Sequence, residues 1–430
     1  MSLELSVMLL LFAFFMLSGI PLSFSMLLSS SIYLLLTGQP LYLLAHRMFT
    51  GIDTTTLMAI PFFTMAAEFM VLSGTTEKLL KFANLLIGRF RGGLAYVNVL
   101  ASMLFGGCSG SAIADVAGLG IMEIDMMTKG GYDREFSTAV TITSSIQGPL
   151  IPPSIMMVLI GATTGSSIGG LLLGSAIPGI LVGISQMVII FIIGKKRKFP
   201  VSNIVFSPKE KIKAFFEAIP FLLMPIIIIG GITSGIVTPT EASAVAVAYG
   251  LLLLVIYNLH NVKLRDIWKV LYNTVIVAAS ILMLSGASNI FGWILSTEKV
   301  PNMISNAVMA ISSNKNVFLL MMTIFLLIWG MFMDSLPAIL ILAPVLFPIA
   351  QHFGINTIHF GVIFGFNLII GLITPPYGAA LFTGTIISGL PMQKIIRPMI
   401  PFILSSICIL ILATFVPDVV MFLPRLFGLK

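Results

Sequence analysis

GPLIPPS, residues Gly148–Ser154, and GLITPPYG, residues Gly371–Gly378, break two long apolar runs in the same way: a glycine, three residues and a double proline. Around them lie 430 residues, of which 58% are hydrophobic and only 9% charged. Mean hydropathy is +1.09. A soluble domain carries about 25% charged residues, so a soluble enzyme, a nucleic-acid binder and a disordered scaffold are excluded. A spanning helix takes about 20 apolar residues. The long, continuous apolar runs supply room for ten or more, whereas a transmembrane β-barrel needs short alternating segments. The fold class is therefore an all-α polytopic membrane protein. The net charge of +7 belongs to loops rather than to a nucleic-acid partner. Cys108 and Cys408 lie in apolar surroundings and suggest neither a disulfide framework nor zinc. Leu5–Leu17 has no basic n-region and no cleavage site, so it reads as a span.

Outward from the two breaks, the spans follow. Leu5–Leu36 divides at Ser18-Gly19-Ile20-Pro21 into two helices, residues 37–56 read as a polar loop, and Leu57–Leu72 is a third helix. A basic stretch holds Lys78, Lys81, Arg89 and Arg91. The run 94–127 carries GGCSGSAIAD (Gly106–Asp115), the run 136–164 carries the first double proline, and Leu171–Ile193 spans. Residues 194–219 form a basic cytosolic linker. Ser207-Pro208-Lys209-Glu210 there has the form of a capping box, and Ile212, Phe215, Phe216 and Ile219 share one face of an expected interfacial helix. Phe221–Gly231 and Ala242–Tyr257 follow, separated by a second box, Thr238–Glu241; then Val275–Leu295 spans. The run 318–350 is interrupted by GMFMDS (Gly330–Ser335), the run 358–388 by the second double proline, and Ile400–Leu423 is the last span.

The two halves match. With a shift of 223, Gly107, Gly131, Gly148, Pro152, Pro153, Gly161 and Pro178 fall on Gly330, Gly354, Gly371, Pro375, Pro376, Gly384 and Pro401. Chance gives about two such coincidences, so an internal repeat is expected: residues 1–193 and 220–430, each with five spanning segments and one re-entrant hairpin. Five crossings is odd, so the repeats are expected to be inverted. Charge supports that layout. With the 195–213 cluster inside, the inner loops hold 18 of the 23 Lys and Arg residues, leaving Arg47, Lys299, Lys315, Arg425 and Lys430 outside. Both termini are then periplasmic.

Backbone that leaves helical geometry inside a bilayer strands polar groups at several kcal/mol each unless they line a cavity or bind something. Paired breaks in inverted repeats point to a transport site at the midplane. Freed carbonyls suit Na⁺, and freed helix N-termini suit an anion. Ser109, Ser111, Ser144, Ser145 and Thr374 add hydroxyl oxygens, and Asp334 is the repeat equivalent of Ser111. Blander readings stand beside these. Any such Ser or Thr equally suits a bond to the i−4 carbonyl, and Glu241 reads as a cap. Asp115 reads equally as site or cavity wall. Glu68 faces water or a partner chain, and Glu123 and Asp125 sit near the cytosolic mouth. Gly161, Gly165 and Gly169 read as helix packing. Gly107-Cys108-Ser109-Gly110 also has the short form seen around the serine of intramembrane proteases. Such a serine needs a histidine base, and His46, His260, His352 and His359 all fall in loops or at span ends. No P-loop occurs.

GIVTPTEASAVAV (Gly235–Val247), GMFMDSLPAILILAP (Gly330–Pro344) and GLITPPYGAALF (Gly371–Phe382) resemble signature stretches of the large membrane subunit of TRAP transporters, the DctM family. GGCSGSAIADVAGLG (Gly106–Gly120) with GPLIPPS fits the same family, and the resemblance covers essentially the whole chain. It implies an ion-transporter-superfamily fold, an elevator mechanism and Na⁺-driven carboxylate uptake across a bacterial inner membrane, with no cofactor beyond the coupling ion. It implies a separate small DctQ-type membrane subunit and a periplasmic DctP-type binding protein as partners. Carried onto this sequence, one Na⁺ site uses Ser109, Gly110 and Ser111 with Gly148, Pro149, Ile151 and Pro152. The other uses Asp334 and Ser335 with Gly371, Thr374 and Pro376. Ser111, Ser144, Ser145, Asp334, Thr374 and Tyr377 are the implied substrate residues. No Lys or Arg lies at either tip, so hydroxyls, helix N-termini, Na⁺ or an arginine from elsewhere must meet the carboxylate. The alternatives are a stand-alone Na⁺- or H⁺-coupled carrier and, more remotely, the intramembrane protease.

Overall fold

The computed structural model describes residues 2–197, 199, 207–258 and 260–429. All regular elements among them are helical. Lys198 and Lys430 of the charge tally, and residues 200–206 of the linker, lie outside the described residues. The first half comprises α1 (Leu3–Leu17), α2 (Leu22–Leu36), α3 (Tyr42–Ile52), α4 (Ala59–Leu72), α5 (Thr75–Ile87), α6 (Gly93–Ser109), α7 (Ala112–Gly118), α8 (Gly120–Lys129), α9 (Arg134–Ser144), α10 (Ile155–Thr164) and α11 (Ile168–Arg197). The second comprises α12 (Pro208–Thr233), α13 (Pro239–Asn258), α14 (Leu264–Thr297), α15 (Val300–Ile311), α16 (Lys315–Gly330), α17 (Ser335–His352), α18 (Thr357–Gly371), α19 (Ala379–Ser388), α20 (Met392–Phe415) and α21 (Pro417–Leu426).

Seven of the described helices are individually long and apolar enough to cross a bilayer. Other expected crossings fall on shorter apolar helices, such as α1 and α2, or on pairs joined across a break. Exposed Phe14, Ile184, Val255 and Ile276 give the surface the apolar character that lipid contact requires.

Several local expectations are corrected. The expected loop at 37–56 contains α3, whose Leu43, Leu44, Arg47, Met48 and Gly51 form an inner face at helical spacing. That face meets α14: the Ser285 hydroxyl donates to the Gly51 carbonyl at 3.1 Å, and Arg47 lies over the Trp293 ring at 5.0 Å. The basic stretch after α4 includes α5, which buries Leu79, Phe82 and Ala83 while its lysines face outward or toward rings. Lys78 stands 3.4 Å over Tyr257, and burial pulls its ammonium below the usual lysine range. The expected interfacial helix is not separate. It is the first turns of α12, which runs on through Pro220 and Pro225. Ala214 and Ala218 are buried on it, and Glu217 pairs with Lys81 of α5 at 3.6 Å. The segment between Lys299 and Lys315, both placed outside by the charge tally, holds α15, which bends by 117° into α16. The last expected span breaks at Val416 into α20 and α21. Both capping boxes form: Ser207 with Glu210, and Thr238 with Glu241.

The repeat is visible in which elements touch. α9 packs on α20 as α18 packs on α11; α10 packs on α17 and α18 as α19 packs on α7 and α9. Such reciprocal exchange is the mark of a pseudo-two-fold relation between halves. Both double prolines carry a cis peptide, and Gly131 and its equivalent Gly354 both take positive φ, +89° and +68°.

Candidate functional site

Each break is crossed by the tip of its own hairpin, and glycine makes the crossing possible. A Cβ on Gly106 would lie 2.8 Å from the Gly148 Cα, and one on Gly371 would lie 2.4 Å from the Gly330 carbonyl oxygen. Both distances are below any side-chain contact, so backbone meets backbone directly. At the first tip α6 ends at Ser109, Gly110 turns at φ +62°, and the Ser111 hydroxyl caps α7 through the Ala114 N–H. A Cβ on Gly110 would strike the Pro153 carbonyl at 2.6 Å, which seats this tip on the first break. Ser154 caps α10, accepting from the Met157 N–H at 3.2 Å and donating to the Pro149 carbonyl.

At the second tip Asp334 is the N-cap of α17. Its Oδ1 accepts from the Ser335 N–H at 2.6 Å and from the Ser335 hydroxyl at 3.2 Å. The Tyr377 N–H donates to the Met331 carbonyl at 3.2 Å, tying break to tip. The second break closes through backbone, with the Ala380 N–H on the Leu372 carbonyl at 3.0 Å.

The two tips open into one cavity of about 640 Å³. Ser109, Gly110, Ser111 and Pro149 line it from the first repeat, and Asp334, Ser335 and Leu372 from the second. Thr64 and Glu68 of α4 and Lys269 of α14 complete the polar lining. The Ser109 Oγ is buried with no hydrogen-bond partner, so one wall carries an orphan oxygen. Hydroxyls, carbonyls at a glycine turn and one carboxylate are hard oxygen donors, the set that fits an alkali cation.

The remaining expected residues lie elsewhere. Gly148, Pro152 and Gly371 are buried behind the tips and shape them, while Ile151 is partly buried beside them. The Thr374 hydroxyl bonds the Ile370 carbonyl at 2.6 Å, the i−4 alternative. Pro376 and Tyr377 are exposed outside the cavity lining. Ser144 and Ser145 sit in a buried polar layer behind hairpin 1, the first-repeat hairpin formed by α6, α7 and α8. There Ser144 bonds Ser102 and Asn98, Asn98 bonds Thr141, and Ser145 bonds the Ile142 carbonyl. Asp115 and Glu123 belong to the same layer, 2% and 1% exposed, with both Asp115 oxygens and one Glu123 oxygen unpartnered. Glu123 therefore does not sit at a solvated mouth, because α9 and α19 cover α8. Lys269 was not legible as a site residue. Sequence places it in a cytosolic loop, and only the extension of α14 brings it to the cavity.

A helical membrane protein with two crossed breaks whose tips share one cavity has the build of a secondary transporter. A family model described as "Tripartite ATP-independent periplasmic transporter, DctM component" matches residues 9–419. The chain is 39% identical over 412 residues to the sialic acid TRAP transporter large permease protein SiaM of Vibrio cholerae, covering 95% of this chain and 96% of that one. It is 38% identical to the C4-dicarboxylate TRAP transporter large permease protein DctM of Pseudomonas aeruginosa, over 90% of each chain. Among solved structures, the YdaH transporter of Alcanivorax borkumensis superposes with a TM-score of 0.58 over 88% of this chain and 87% of that one, at 16% identity, a likeness of fold. The chain belongs to the DctM family: it is a large permease subunit of a TRAP transporter.

Proposed function

We propose that this subunit imports a small carboxylate across the bacterial inner membrane, driven by Na⁺ and delivered by a periplasmic binding protein, with a small membrane subunit as its partner. The relatives named for sialic acid and for C4-dicarboxylates support the carboxylate class. The observation that carries the reading is the single cavity shared by Ser109–Ser111 and Asp334–Ser335. In this reading Na⁺ ions at the tips order Gly110 and the Asp334 cap, and so lower the cost of holding an anion between them. The inverted repeat then moves its two hairpins as one body past the scaffold helices, an elevator movement that opens the cavity inward.

The test is uptake of labelled carboxylates into proteoliposomes holding this chain and its small subunit, with and without a Na⁺ gradient and the binding protein. Uptake that requires both supports the proposal. Uptake with Na⁺ alone assigns the chain a stand-alone mode. Ser111→Ala and Asp334→Asn are expected to lose coupled uptake while the complex still assembles. Full Na⁺-dependent uptake by both variants would overturn the site.

A further inference from the structure

We propose that Lys269 receives the carboxylate of the substrate as it leaves the tips, with Glu68 of the neighbouring helix α4 pushing the anion onward; the inference rests on the carboxylate reading above. Three charged side chains line the cavity: Asp334 at the second tip, and Glu68 and Lys269 on α4 and α14. An anion there meets two carboxylates and one ammonium, so Lys269 is the group whose charge favours it. Neither Glu68 nor Lys269 makes an ion pair among the described residues, so the ammonium is free to engage a ligand. The wall around it is apolar, with Val71, Ile113, Val277 and Ile281, and charges separated by low-dielectric surface interact more strongly than in water.

Position defines when the contact occurs. Lys269 is flanked on α14 by exposed Trp268 and by Tyr272 one turn on, 64% and 67% exposed. Aromatic residues of this kind mark the depth of the headgroups. Lys269 therefore stands at the mouth of the cavity, and its flexible stem reaches inward along the apolar wall. It sits on α14 rather than on a hairpin, so it does not travel with the tips. Its contact with substrate belongs to the state whose cavity opens toward the basic 263–269 segment. Lys269 is a release-side binding residue, which gives the departing anion the cation that neither tip offers.

The test rebuilds the charge chemically. In a Cys408→Ser background, the Lys269→Cys complex is reconstituted with its small subunit and binding protein and assayed with labelled succinate and labelled sialic acid. The uptake rate is expected to fall about tenfold, with little change in the half-saturating Na⁺ concentration. 2-Aminoethyl methanethiosulfonate, which restores an ammonium on a stem one atom longer than lysine, is expected to recover most of the rate. The sulfonatoethyl reagent is expected to lower it further, and Glu68→Gln is expected to slow release in the unmodified protein. Equal effects of the two reagents, or an unchanged rate in Lys269→Cys, would overturn the proposal while leaving the transport reading intact. Absence of Na⁺-dependent uptake of both probes by the unsubstituted complex overturns the transport reading, and this inference with it. Should Lys269→Cys fail to assemble, the comparison of Lys269→Arg with Lys269→Gln decides the same point, since only the arginine keeps the charge.

Discussion

The two hairpins share a backbone device and differ in where they keep their carboxylates. In the second, the acid is at the tip: Asp334 faces the cavity and caps α17, whose body is apolar. In the first, Ser111 takes the tip position and the acids lie behind it, Asp115 and Glu123 buried beside Ser102 and Thr141, which bond in turn to Ser144 and Asn98. The shift of 223 places Ala338, Leu346, Met321, Phe325, Phe364 and Asn367 at those six positions, so five of them are apolar in the second repeat. Symmetry thus fixes the crossing of tip and break, where glycine geometry leaves no latitude, and leaves the chemistry of each tip free to diverge. The first tip is seated by close backbone contact on Pro153; the second is held by one backbone hydrogen bond from Tyr377.

The largest effect is expected where the backbones cross. Gly371→Ala puts a Cβ 2.4 Å from a carbonyl oxygen that cannot move aside, whereas Gly148→Ala meets its nearest atoms at 3.2 Å. Overpacking of this kind costs about 1–3 kcal/mol or more, so thermal unfolding of the complex should show Gly371→Ala as clearly the worse of the two. Equal losses would mean that the crossings are not held with unequal tightness.

Next is the buried layer. Asp115→Ala with Glu123→Leu gives the first repeat the residues of the second. A buried carboxyl oxygen without a hydrogen-bond partner carries an uncompensated desolvation cost, and an apolar side chain in its place removes that cost. The double variant should therefore unfold at a temperature no lower than the parent. A marked fall would show that the two acids hold hairpin 1 together.

At the tips, Asp334→Asn removes a full charge and Ser109→Ala one uncharged oxygen. Asp334→Asn should lose Na⁺-coupled uptake, whereas Ser109→Ala should keep it and raise the Na⁺ concentration for half-maximal uptake by no more than about tenfold, equivalent to ~1.4 kcal/mol. The reverse ranking would place the dominant ion site at the first tip. The smallest effect is at the break caps: Ser154→Ala should cost about 1 kcal/mol of stability. Tyr377→Ala should cost less, because its bond to the second tip uses the backbone N–H.

Much of this was legible in the chain. The double prolines, the glycines at Gly110 and Gly148, and the capping boxes act through local backbone rules, and each appears where sequence puts it. Helices that share an amphipathic face with a neighbour were harder to see. α3 and α5 read as polar or basic segments because half of each helix faces outward, and only the partner surface shows which half is buried. Ser144 and Ser145 carry the right hydroxyls for a site, yet their helix face turns them into the layer behind the tip. Asp115 and Glu123 gave no sign of burial, since charge in a sequence carries no information on what covers it.

The sequence by itself determined the membrane class, the repeat and the two tips with their breaks, because hydropathy, glycine and proline act over a few residues at a time. Only the tertiary structure decided which oxygens share a cavity, that Glu68 and Lys269 join them, and that one hairpin hides its acids while the other displays its own. Those are facts about which helix faces meet, and side chains from α4, α6, α14 and α17 come together only when the whole chain has packed.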